Sequence, residues 1–95
     1  MIPTERSWEK EMARKKKLYS KARTVSANLS FSELCLLAES AGFEFRNQAG
    51  SHRIYKHPVC REMLNLQPEG GKAKPYQVRQ LLRIIDRHGL IKEGK

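Results

Sequence analysis

From Ser30 onward the chain switches between two hydrophobic periods. Leu34, Leu37, Ala38 and Ala41 fall at i, i+3, i+4 and i+7, the spacing that lines one face of an α-helix. Ser30 followed by Glu33 is a capping-box pattern at its start, and Gly42 supplies a left-handed stop at its end, so a helix over about 31–41 is predicted. The period then becomes two: Phe43-Glu44-Phe45-Arg46-Asn47 alternates apolar and polar, Ala49-Gly50 offers a turn, and Arg53 to His57 carries the β-formers Ile54 and Tyr55. That is a hairpin. Pro58 breaks its second strand, Met63-Leu64-Asn65-Leu66 reads as a third, and Pro68 with Gly70-Gly71 ends it. Pro75 sits well in the first turn of a last helix, where Val78, Leu81, Leu82 and Ile85 repeat the helical spacing before Gly89 stops it.

The element order is therefore α-β-β-β-α, an α+β arrangement in which two helices cover one face of a three-stranded antiparallel sheet. The other sheet face is left to water or a ligand. Between Thr4 and Tyr19 the residues are good helix formers, but Trp8, Met12, Ala13, Leu18 and Tyr19 make only a thin apolar stripe. This predicts a basic helix that docks weakly, followed by a Ser/Thr/Asn-rich linker from Ser20 to Ser30. The chain divides into a basic extension over 1–30, a folded domain over 31–91 and a tail over 92–95.

Charge changes the picture from a fold to a class of partner. The 95 residues carry 19 Lys and Arg against 10 Asp and Glu, a formal +9, and such an excess attracts polyanions by releasing their condensed counterions. Arg6, Lys10, Arg14, Lys15, Lys16, Lys17, Lys21 and Arg23 face only Glu5, Glu9 and Glu11 in the extension, so more than half of the excess lies there. A chain this short buries only roughly 60% of its unfolded surface, so chemistry belongs on an open surface that suits a polymer. No apolar run approaches the roughly 20 residues that cross a bilayer, and the N-terminus lacks a signal-peptide core, which reads as soluble and cytoplasmic. Cys35 and Cys60 are too few for a disulfide framework.

Within Gly50-Ser51-His52-Arg53-Ile54-Tyr55, His52 follows a Gly-Ser turn at the start of a strand, where backbone can approach a phosphate closely. Strand residues an odd number apart face opposite ways. If Tyr55 packs under the helices, His52 faces the open side with Lys56; the other register buries His52 beside Ile54 and exposes Tyr55. An imidazole titrates near neutral pH and can take the proton from an RNA 2′-hydroxyl as that oxygen attacks the adjacent phosphorus, a reaction that needs no metal. It needs positive charge where the phosphate's charge builds up, and Arg53, Lys56, Lys72 and Lys74 are the candidates.

These residues, preceded by Ala41-Gly42-Phe43, resemble the HicA toxin family from about Ser32 to Leu90. The likeness lies in the order of a leucine-rich helix, Ala-Gly-Phe, Gly-Ser-His and a proline-led basic helix. The resemblance implies a fold similar to double-stranded-RNA-binding domains, metal-independent endoribonuclease activity on messenger RNA, and neutralisation by a HicB-type antitoxin, with any oligomer assembled through that complex. By position, the family's catalytic histidine falls on His52. Many members carry a further histidine after the third strand, where this chain reads Gln67-Pro68-Glu69-Gly70-Gly71-Lys72. Leaving-group protonation is then open to His57, Glu69, a lysine or water.

Gly50 and Ser51, beside His52, join the expected RNA contacts. Gly70-Gly71-Lys72-Ala73-Lys74 reads as a flexible cationic loop, either a clasp for RNA backbone or a solvated connection. Arg79, Arg83 and Arg87 recur every four residues as a basic stripe, and Arg79, nearest the helix N-terminus, is the member expected to touch phosphate. Cys35, His52, His57 and Cys60 lack the paired spacings of a zinc site, and no metal or cofactor is expected. A non-catalytic RNA-binding module, or a basic module that holds an acidic protein, competes with the ribonuclease reading.

Overall fold

The computed structural model describes residues 7–24 and 28–91, with the side chains of residues 7–9 and 11 excepted. The expected tail over 92–95, the start of the extension and the Trp8 contribution to its stripe lie outside the described residues. Six elements follow one another: α1 (Ser7–Thr24), α2 (Phe31–Ser40), β1 (Glu44–Ala49), β2 (His52–Lys56), β3 (Met63–Leu66) and α3 (Pro75–His88). After α1 this is the α-β-β-β-α order read from the periodicities. The sheet is antiparallel in the order β1-β2-β3, with a bulge at Arg46.

Local chemistry accounts for the helix ends. Ser30 Oγ accepts from the Glu33 amide and Glu33 Oε1 accepts from the Ser30 amide, each at 3.0 Å, which closes the capping box of α2. Gly42 then takes a positive φ of 98°, and a Cβ there would meet His57 Nε2 at 2.7 Å, so both backbone and space demand glycine. Pro75 opens α3 and Gly89 ends it in the left-handed conformation.

The core gathers Leu34, Leu37 and Ala38 of α2, Val78, Leu81 and Ile85 of α3, and Tyr55, Leu64 and Leu66 of the sheet, all fully buried. Tyr55 therefore lies under the helices. Residues 52, 54 and 56 turn to the opposite face, where Ile54 opposes Asn65 and Lys56 opposes Met63.

Two expectations need correction. The helix of the extension does not stop at Tyr19 but runs to Thr24, through the first part of the expected linker. The reason is tertiary: Tyr19 and Ala22, three residues apart on one face, are both buried in the common core, and that burial outweighs the weak helix preference of Ser20 and Thr24. The Tyr19 hydroxyl donates to Asp86 of α3, Arg23 reaches the same carboxylate at 3.0 Å, and Lys21 pairs with Glu33 of α2 at 2.8 Å. The glycine segment is likewise no flexible loop. Glu69 and Lys72 exchange backbone hydrogen bonds at 2.9 and 3.0 Å around Gly70 and Gly71, both at positive φ, which makes a tight primed turn. Bonds from Phe31 to Gly71 and from Ala73 to Leu29, at 3.0 Å each, fasten it to the start of α2.

Candidate functional site

His52 opens β2 directly after the Gly50-Ser51 turn, where Gly50 has φ 62° and its carbonyl accepts from Gln48 Nε2 at 3.0 Å. Its cross-strand partner on β1 is the small Ala49. From the neighbouring strand Asn65 reaches diagonally across the open face, and its Oδ1 lies 2.8 Å from His52 Nδ1. An amide oxygen only accepts, so Nδ1 donates to it, and in the neutral imidazole Nε2 is then the nitrogen with the lone pair. Among the described residues no hydrogen bond engages Nε2.

A polar chain continues from there. Gln67 Nε2 donates to Ser51 Oγ at 3.2 Å, and Lys74 Nζ donates to Gln67 Oε1 at 3.2 Å, so one glutamine joins the Gly-Ser turn to a lysine from the start of α3. Gln77, the buried polar side chain at 5% exposure, fixes the strand behind them. Its Oε1 accepts from the Gln67 amide and its Nε2 donates to the Asn65 carbonyl, both at 3.2 Å.

The structure does not bring all the expected contacts together. Gly50, Ser51, Lys56 and, through Gln67, Lys74 share the His52 side, and Lys72 is exposed on the adjoining tight turn. Arg53 instead follows Tyr55 to the helix side, with its guanidinium carbon 4.8 Å from the Phe45 ring centre and 5.7 Å from that of Tyr55. Arg79 lines a groove between α1 and α3 with Arg23, Arg83 and Asp86. Asn65, Gln67 and Gln77 were not anticipated. Asn65 had a signal, since a polar residue between Leu64 and Leu66 must face the same way as His52; Gln77 had none, being one polar position on an otherwise apolar helix face.

The remaining groups with chemical potential are structural. His57 Nδ1 accepts from the Val59 and Cys60 amides at 3.1 and 3.2 Å, so Nε2 carries the proton and donates it to the Ala41 carbonyl at 2.9 Å. Both ring nitrogens are occupied by backbone groups. The Cys35 thiol is buried, and burial pushes its pKa up, away from the reactive thiolate. No three His, Cys, Asp or Glu side chains converge among the described residues, and no helix among them is long and apolar enough to cross a membrane.

Two helices over a three-stranded antiparallel sheet, in the order α-β-β-β-α, define a double-stranded-RNA-binding-like fold. Compared with known families, residues 31–86 match the HicA toxin of bacterial toxin-antitoxin systems. The chain belongs to the HicA toxin family. No curated protein and no solved structure matches it.

Proposed function

We propose that this chain is a ribonuclease toxin in which His52 acts as the general base that starts cleavage of messenger RNA, without a metal, until a HicB-type antitoxin covers it. The observation that carries the reading is the state of His52: half-buried on the open face, its Nδ1 engaged by Asn65 and its Nε2 without a hydrogen-bond partner among the described residues. In this reading residues 31–91 carry the activity, residues 1–30 are an extension, and its helix α1 docks on the domain.

The chemistry follows from that lone pair. Nε2 takes the proton of a 2′-hydroxyl, the 2′-oxygen bonds to the adjacent phosphorus, and the bond from phosphorus to the 5′-oxygen breaks. A 2′,3′-cyclic phosphate and a 5′-hydroxyl result, the leaving oxygen taking its proton from solvent. Lys56, Lys72 and Lys74 supply the positive charge that stabilises the crowded phosphorus, with Gly50 and Ser51 contacting the backbone next to it. Arg53 supports the sheet edge from behind, and Arg79 holds RNA farther along the surface.

Cleavage assayed with excess chelator, on RNA and on the same sequence with 2′-deoxy substitution, tests the reaction type. Activity persists in chelator and disappears with the deoxy substrate. Loss in chelator alone, with deoxy substrate still cut, contradicts it. An acidic antitoxin meets the same basic face, in the cytoplasm where messenger RNA is translated, and any oligomer forms through that complex.

A further inference from the structure

Two of the three histidines of this chain, His52 and His57, hold opposite tautomers. Free neutral histidine in water favours the proton on Nε2, and His57 keeps that form, with two amides donating to Nδ1. His52 is held in the other form by one contact, the 2.8 Å hydrogen bond to Asn65 Oδ1. Because Asn65 is exposed, water competes for that bond, and it can select the tautomer only if the amide is presented in a fixed place.

Gln77 provides the fixing. It is buried at 5% exposure among apolar core residues, where an unmet amide is costly, and it spends both ends on β3 and the residue after it. Its donor holds the Asn65 carbonyl and its acceptor holds the Gln67 amide, at 3.2 Å each. The backbone on either side of Leu66 is thereby clamped to α3, so Asn65 and Gln67 project from a rigid base. One carries His52, the other ties Ser51 to Lys74.

We propose that Asn65 is the positioning residue of the site, setting the tautomer of His52 so that Nε2 is the nitrogen that accepts the substrate proton, with Gln77 clamping Asn65 from the core. The inference rests on the ribonuclease reading for its consequence, but the tautomer is a property of the free protein. Asn65 does not touch the reacting atoms. It acts through His52 alone.

The test is nitrogen-15 NMR of the histidine rings of the full chain, at a pH where the imidazoles are neutral, in the wild type and in Asn65→Ala. In the wild type His52 shows the proton on Nδ1 and His57 shows it on Nε2, and His57 serves as the internal reference. In Asn65→Ala the His52 pattern moves to the Nε2-protonated form while His57 stays unchanged, and kcat for RNA cleavage falls about ten-fold to a hundred-fold with little change in KM. Asn65→Asp keeps an acceptor at the same place and restores the Nδ1 proton. Its carboxylate favours the imidazolium, so the acid limb of the pH-rate profile moves to higher pH. A His52 that keeps its Nδ1 proton in Asn65→Ala overturns the proposal, as does an Asn65→Asp profile that does not move. A wild type that shows the stated tautomers but cuts no RNA overturns the ribonuclease reading instead.

Discussion

His52 and His57 stand five residues apart on one strand and its exit, and they do opposite work. Five is odd, so they leave the sheet in opposite directions: one is held on the open face by a single side chain, the other is used up joining the β2–β3 connection to the end of α2. Parity made the direction of His52 legible once Tyr55 was assigned to the core. The same parity on β3 makes Asn65 legible too, whereas the histidine tautomers depend on hydrogen bonds between strands that no local pattern encodes. Tyr55 shows the cost of its position. Its hydroxyl is buried without a regular hydrogen-bond partner, and burial, with the Cys35 thiol beside it, pushes its pKa up. Tyr55→Phe removes the desolvated hydroxyl and keeps the ring, so denaturant unfolding will show stability unchanged or raised by up to about 1 kcal/mol. A loss above about 2 kcal/mol would show that the hydroxyl has a partner this account lacks.

Among the elements, α2, the three strands and α3 were readable because each carries its own period and its own stop signals. The exceptions are α1 and the turn before α3, and both are decided by contacts distant in sequence. A Ser/Thr-rich stretch reads as linker until Ala22 and Tyr19 are known to be buried. A Gly-Gly pair reads as flexible until its backbone bonds to the start of α2 are seen. Lys21 of α1 holds the Glu33 carboxyl below its ordinary range, helped by the Ser30 amide at the α2 cap. A carboxyl depressed on folding contributes stability that is present above its unfolded pKa and lost as pH falls through the folded value. A melting series should therefore fall less steeply on acidification in Glu33→Gln than in the wild type, the gap between the two curves closing as pH falls below about 4.5. Parallel curves would mean the α1–α2 ion pair adds nothing to the docking.

At the scale of the whole molecule, a formal +9 on 95 residues lets the proposed reading separate holding RNA from cutting it. The cations are many and dispersed, on α1, on α3 and around the sheet face, so no single one controls affinity. Binding by such a surface weakens steeply with salt and survives the loss of any one side chain. Catalysis in this account rests on one imidazole. The most direct test is a paired measurement on His52→Ala at low salt and in chelator, of RNA affinity and of cleavage with analysis of the new 3′ ends. The account predicts affinity within about two-fold of the wild type, a cleavage rate lower by about 10² to 10⁴, and 2′,3′-cyclic phosphate ends in the wild-type digest. A His52→Ala protein that still cuts at the wild-type rate would contradict it.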